Sequence, residues 1–329
     1  MRWLGAVTAL AALGAAASWG GGTLLARQAA EGFARLAAEG RGGAASVSAT
    51  GFPLRIGAEV TAPALDFPEA GGRWQAPSAE LAAPLWAPLD WRIAATAPQK
   101  LTLAGQRFTL AATDSVATLG LGLGAALPLR RATLTLDTPR LSAEDASTPA
   151  LAAQDVTATA TRAGDGRWQI VAGARAVALP EGLTDSLAPG AGLPDVIETV
   201  TVDATASLDT PPALMADRMP ALTALDLTRV HLAWGGRALD ARGAITIDAD
   251  GRPEGTITLS TKDWAAWLQV AVAAGLVEAK RVPMLATLGA YLAQQSKDGA
   301  VEVPLAFAQG RMSLGPVPLG RAPVLVQRQ

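Results

Sequence analysis

One histidine, no cysteine and 29 acidic residues set the limits of the chemistry open to this chain of 329 residues. Without cysteine there is no thiolate nucleophile, no disulfide and no Cys-ligated metal. His231 lies in "LTRVHLAWGG", between Val230 and Leu232, with no serine elbow or carboxylate motif nearby in sequence. A lone histidine in an alternating run reads as a strand residue, not as a base waiting for a nucleophile. Paired carboxylates could hydrolyse a glycosidic bond, but nothing singles out one pair among so many acids. The sequence therefore assigns no catalytic residue, no metal ligand and no cofactor, and the chain is read as non-enzymatic.

Two short motifs resemble ligand sites in their letters alone. "GLGLGA" (Gly120–Ala125) matches a dinucleotide fingerprint, which requires a helix to start there and aim its N-terminus at a pyrophosphate. Pro128 and the strand-like "RRATLTLDT" follow instead, so a glycine-rich strand or bulge is expected. "DADGRPEG" (Asp248–Gly255) opens like a calcium loop, but Pro253 and Gly255 stand where later ligands should be. A hairpin turn is expected there.

The tryptophans offer a different chemistry. Trp264, Trp267 and Leu268 open an apolar helical run, and Trp86 and Trp91 flank "APLD". Core packing is the simple account of these five residues. The sharper one is that they line or cap an apolar groove able to take an acyl chain.

The elements that must position them are mostly strands. After Gly43 the chain runs through segments such as "LRIGAEVTAPALDF", "RFTLAATDSVATL", "ETVTVDATASLDT" and "GTITLST", with apolar residues at every second position. This pattern predicts antiparallel strands with one buried face, joined in meanders by short Gly, Pro or Asp turns. Five Gly-Arg turns, with Arg73, Arg107, Arg167, Arg237 and Arg311, are each followed by an alternating strand. Glycine supplies the positive φ of a tight turn, and arginine opens the next strand on its solvent face. "GRWQ" occurs twice in this setting, at Gly72–Gln75 and Gly166–Gln169, and marks turn-to-strand entries with Trp74 and Trp168 pointing inward.

One helical island interrupts the strands. Asp263 is a candidate N-cap for "WAAWLQVAVAAGLVEAKR", and Pro283 restarts a second helix with Met284, Leu285, Leu288, Tyr291 and Leu292 on one face. Its first 14 residues, Trp264–Val277, carry only Gln269 as a strongly polar side chain. That is too short to span a bilayer, so a buried hairpin over residues 263–296 is expected.

The N-terminus has 24 uncharged residues between Arg2 and Arg27. At about 1.5 Å per residue such a helix is long enough for a hydrocarbon core of roughly 30 Å. The favoured reading is a transmembrane anchor over residues 1–26 continued by a helical extension over 27–43; the competing one is a cleaved signal peptide ending near Ala15-Ala16-Ala17. Residues 44–329 then form one β-rich domain, placed in the periplasm of a single-pass inner (cytoplasmic) membrane protein. The net charge of −2 and the absence of a basic stripe argue against nucleic acid as a partner.

"GFPLRI" (Gly51–Ile56) with "RWQAP" (Arg73–Pro77) resembles the front half of an alphaproteobacterial family, domain of unknown function 2125. "GRPEGTITLSTKDWAAWL" (Gly251–Leu268) and "LAFAQGRMSLGPVPLGRAP" (Leu305–Pro323) resemble its back half. The resemblance implies a membrane-anchored envelope protein. The late segments are also loosely similar to AsmA-like envelope proteins, which implies a curved sheet with an apolar inner face suited to lipid. The expected fold is thus mainly β: a transmembrane helix, then a large curved antiparallel sheet, trough-like or an open barrel, with a helical hairpin packed on it. The expected partners are the lipid bilayer and a lipid or other apolar ligand bound in the trough. A structural or assembly factor with a fully packed core is the alternative.

Overall fold

The computed structural model of the chain describes residues 2–67, 71–103, 105–144, 151–214 and 220–325, with the side chains of 2–17, 19 and 103 excepted. They fall into two compact units, 1–152 and 153–329. The first begins with α1 (Arg2–Ala38), a single helix that joins the segments expected at 1–26 and 27–43 but stops five residues short of the second one's end, where Gly42 and Gly43 are already strand.

Among the described residues no helix is long and apolar enough to cross a membrane, so the transmembrane helix expected over 1–26 is not seen. The side chains of residues 2–17 and 19 lie outside the described part. From Ser18 onward the helix is committed to the sheet. The Ser18 hydroxyl donates to the Arg55 carbonyl, Ala26 is buried, and a side chain at Gly21 would press on Ile56. The stretch left over, residues 2–17, has 16 positions. It spans about 24 Å, short of the roughly 30 Å core.

Six passes of chain make up the rest of this unit, each broken into two strands: β1 (Gly42–Gly43) and β2 (Ser46–Thr50); β3 (Arg55–Thr61) and β4 (Ala64–Phe67); β5 (Gly72–Gln75) and β6 (Ser78–Pro84); β7 (Asp90–Ala95) and β8 (Gln99–Leu103); β9 (Gln106–Ala111) and β10 (Asp114–Leu121); β11 (Leu129–Asp137) and β12 (Arg140–Ala143). On one side of the break the antiparallel order is β2-β3-β6-β7-β10-β11, and on the other it is β1-β4-β5-β8-β9-β12. The breaks line up as one crease across the meander. Four of them hold a proline, at "TAP" (61–63), "QAP" (75–77), "TAP" (96–98) and "DTP" (137–139). Proline has no N–H to give the ladder, so the sheet cannot run straight through. Hydroxyls bridge the gap: Ser78 and Thr96 exchange hydrogen bonds, and the Thr113 and Thr138 hydroxyls lie 2.8 Å apart.

The five Gly-Arg turns behave as expected. Gly71, Gly105, Gly166, Gly236 and Gly310 all have positive φ, and Arg73, Arg107, Arg167 and Arg311 are exposed while Arg237 is half-buried. The twin tryptophans differ in their polar handles. Trp74 Nε1 donates to Gln99 Oε1 at 2.9 Å, and Gln99 is buried. Trp168 is buried too, yet its Nε1 has no partner among the described residues. Trp74→Phe should therefore cost about 1–3 kcal/mol by stranding the Gln99 acceptor. Trp168→Phe loses no bond and should cost less than about 1.5 kcal/mol. Denaturant unfolding of the two variants checks the difference.

The second unit is an antiparallel ladder in sequence order. β13 (Leu151–Arg162) enters from the first unit and turns into β14 (Arg167–Ala178), where Arg175 pairs with Asp155. A short helix, α2 (Leu183–Leu187), precedes β15 (Val196–Leu208), β16 (Leu222–Trp234), β17 (Arg237–Ile247) and β18 (Pro253–Thr261). The helices α3 (Trp264–Ala273) and α4 (Val282–Gln295) follow, and then β19 (Val301–Ala308), β20 (Arg311–Leu314) and β21 (Val317–Arg321). Neighbours pair from β14 through to β21. The ladder is not closed into a barrel: no pairing joins β21 to β13 or β14 among the described residues.

Register puts Val200, Leu232 and Leu239 in one row of the inner face, and Thr201, His231, Asp240, Ser260 and Glu302 in one row of the outer face. Gly243 and Gly255 bring β17 and β18 close, because a side chain at either would strike the neighbouring backbone. The buried cluster at one end of the inner face is Ile245, Phe307 and Ala322, whereas Val200, Val202, Val230 and Leu232 are only half-buried.

Candidate functional site

The helical hairpin is rooted on a single residue of β17. The backbone N–H of Ala238 donates to Asp263 Oδ2 at 2.9 Å, and its carbonyl accepts from the Thr261 hydroxyl at 2.6 Å and from Trp267 Nε1 at 3.2 Å. Asp263 stands just before α3, as expected of an N-cap, but its carboxylate makes no capping bond within the helix. It ties the helix start to the sheet instead. α3 ends in a Schellman turn: Leu276 N–H donates to Ala271 O and Gly275 N–H to Val272 O, with Gly275 at φ 71°. A 3-10 turn, Ala279–Arg281, leads into α4, which carries Pro283 in its first turn.

Trp264 locks the two helices together. Its Nε1 donates to the Leu285 carbonyl at 3.0 Å, and its ring lies over Gly289, where any side chain would overlap the indole. A glycine inside a helix costs about 1 kcal/mol against alanine, so this one has a packing reason. Leu268, Val277, Leu285 and Val317 form the buried cluster between the hairpin and the last strands.

Between hairpin and sheet lies an apolar cleft of about 340 Å³. Its helical wall includes Trp264, Trp267, Leu268, Ala271, Leu285 and Leu292; its sheet wall includes Leu239, Leu259, Val301 and Val303; the β20–β21 turn, Leu314–Val317, closes one side. Thr261 is the polar side chain along it, and Glu302 borders it while its carboxylate pairs with Arg242 on the outer face. The Trp267 ring also meets Trp234, with centroids 6.5 Å apart.

Of the five residues proposed for a groove, the structure brings Trp264, Trp267 and Leu268 together here. Trp86 and Trp91 are elsewhere, in the first unit: Trp86 stands on the β6–β7 turn and is 74% exposed, and Trp91 lies in β7 opposite Leu119. α4 splits the stripe expected of it. Leu285 and Leu292 face the cleft and Leu288 forms its rim, while Met284 and Tyr291 are exposed. Sequence reasoning missed Ala271, Gly289 and the sheet wall. The isolated glycine in "LATLGAYLA" was the available signal for Gly289.

His231 Nδ1 lies 3.1 Å from Asp240 Oδ1, an oxygen that also accepts from Arg229 Nε at 3.2 Å. Ser260 sits on the far side of Asp240 in the same row. It is two strands from His231, roughly 10 Å at the backbone, and beyond the hydrogen-bond reach a nucleophile and its base need. "GLGLGA" is the end of β10, with a bulge between Gly120 and Leu121, and a turn. "DADGRPEG" is a hairpin turn in which Asp248 Oδ1 accepts the Asp250 and Arg252 N–H groups. Among the described residues no cluster of three His, Asp or Glu side chains could hold a metal ion. Two carboxyls are held below their ordinary range: Glu278 by a hydrogen bond from Lys280 with added charge from Arg281, and Asp298 by the Ser296 hydroxyl and the Ala300 N–H. Both are on the solvent side of the hairpin.

A family model described as an uncharacterized protein conserved in bacteria (DUF2125) matches residues 20–323. The chain belongs to this family. The match covers both units, so the DUF2125 core includes the sheet-packed part of α1, the creased meander and the cleft. No curated protein and no solved structure matches the chain, and the looser resemblance to AsmA-like proteins gains no support.

Proposed function

We propose that this DUF2125 chain is a non-enzymatic, membrane-attached envelope protein that holds one apolar ligand, such as a lipid acyl chain, in the cleft beneath its helical hairpin. The observation that carries the reading is the cleft itself. Its walls are apolar side chains from three directions, and its volume of about 340 Å³ lies within the range of small-molecule sites. Burial of an alkyl chain there gains about 0.8 kcal/mol per methylene. The half-buried stretch of the inner face at Val200, Val202, Val230 and Leu232 supports the same reading, because it leaves apolar surface beside the cleft's own strands. Attachment rests on the uncharged segment that opens α1, which enters the bilayer with the folded part close against its surface, on the periplasmic side of the inner membrane.

The test is organic extraction of the detergent-purified chain followed by mass spectrometry. The reading expects one class of acyl-chain lipid in near-stoichiometric amount. An extract matching that of an unrelated membrane protein purified in the same detergent would favour a packed structural or assembly factor.

A further inference from the structure

The first unit has two unlike ends. At one, the turns β2–β3, β6–β7 and β10–β11 lie side by side, tied by hydrogen bonds from Leu85 N–H to Leu54 O and from Leu121 N–H to Leu89 O. Their tips carry Phe52, Leu54, Trp86 and Leu123, which are 62%, 60%, 74% and 89% exposed. Large apolar side chains concentrated on neighbouring turns mark an interaction surface. At the opposite end the surface is charged, with Arg73 paired to Asp66 and with Lys100 and Arg107 on Glu144, although Phe67 and Leu151 are exposed there.

Directly behind the apolar tips stands a collar of arginines. Arg55 opens β3, Arg130 and Arg131 open β11, and Arg92 lies one turn-length into β7; all four are exposed. Asp90 is the one acidic residue among positions 51–56, 84–92 and 119–131, so the collar is four positive charges against one negative. α1 meets the sheet at this same end, with Ser18 on Arg55 and Gly21 on Ile56, and its C-terminal part reaches Gly43 near the crease. The segment 2–17, uncharged after Arg2, therefore leads away from the sheet on the side of the tips.

We propose that this end is a bilayer-docking surface: the three turn tips enter the outer part of an anionic lipid leaflet, and the arginine collar sits among its phosphates. Apolar tips backed by cations match a membrane interface, where tryptophan favours the headgroup level and each arginine gains from anionic lipid. Submerging the tips also brings the start of the sheet-packed part of α1 to the membrane boundary, which compensates for the shortness of segment 2–17. This inference rests on the membrane attachment proposed above and is independent of the cleft.

The absence of cysteine allows a clean test on the full chain. Single-cysteine variants F52C, W86C, L123C and, at the opposite end, Q106C would carry a nitroxide label. The chain would be reconstituted in vesicles of phosphatidylethanolamine and phosphatidylglycerol. Labels at 52, 86 and 123 should favour dissolved oxygen over a water-soluble nickel complex several-fold more than the label at 106. Equal, water-like accessibility at all four positions, on chains that float with the vesicles, would overturn the docking surface alone. Failure of the chain to float would overturn membrane attachment and this surface with it.

Discussion

Gly289→Ala should destabilise the second unit by about 1–3 kcal/mol net, although helix propensity alone would favour it by about 1 kcal/mol. The added methyl has no space, because the Trp264 indole occupies it. Moving the ring breaks the Nε1 bond to the Leu285 carbonyl and opens the seam between α3 and α4. The lost bond contributes about 1 kcal/mol and the overpacking another 1–3. Hydrogen exchange is the appropriate measurement, since it reads the hairpin separately from the rest of the chain. Faster exchange in α4 with β15 and β16 unchanged is the expected pattern; protection equal to wild type would show that Trp264 does not clamp the helices.

Ala271→Trp should cut binding of an acyl ligand at least tenfold, which is about 1.4 kcal/mol. Ala271 is a small side chain on the helical wall of the cleft, whose sheet wall includes Leu259 and Val303. An indole there occupies the space an alkyl chain would fill and leaves the Ala238 root and the Trp264 clamp untouched. Ala271 packs against the buried cluster of Leu268, Val277, Leu285 and Val317, so the larger side chain should also cost about 1–3 kcal/mol of stability by overpacking.

The hairpin was legible because its signals are local. Asp263 and Pro283 mark the start of α3 and the extent of α4 to within a residue or two, whereas α3 ends at Ala273, eight residues before the end of the apolar run read as helix. The Gly-Arg turns were legible for the same reason. The cleft was half legible: Trp264 and Trp267 share a helix with Leu268, but the opposite wall is chosen by strand register, which brings Leu239, Leu259 and Val303 together from three strands. Trp86 and Trp91 mislead because a tryptophan in a polar-poor stretch looks alike whether it stands in a strand or on a turn tip. The crease was written in the sequence as "TAP", "QAP", "TAP" and "DTP", yet each lies inside an alternating run whose period survives the break. Alternation reports which face a residue takes and is blind to a bend. The N-terminal segment shows the converse limit, since hydropathy counts residues 18–26 as membrane material while Ser18, Gly21 and Ala26 pack on the sheet.

The central claim is that the cleft takes an acyl chain, and a titration of the purified chain with a brominated fatty acid tests it most directly. Bromine quenches only the tryptophans it approaches, and Trp264 and Trp267 line the cleft. The wild-type chain should show saturable, partial quenching, and Ala271→Trp should require at least ten times the ligand, about 1.4 kcal/mol weaker. Quenching that does not saturate, or that is the same in both chains, would contradict the account.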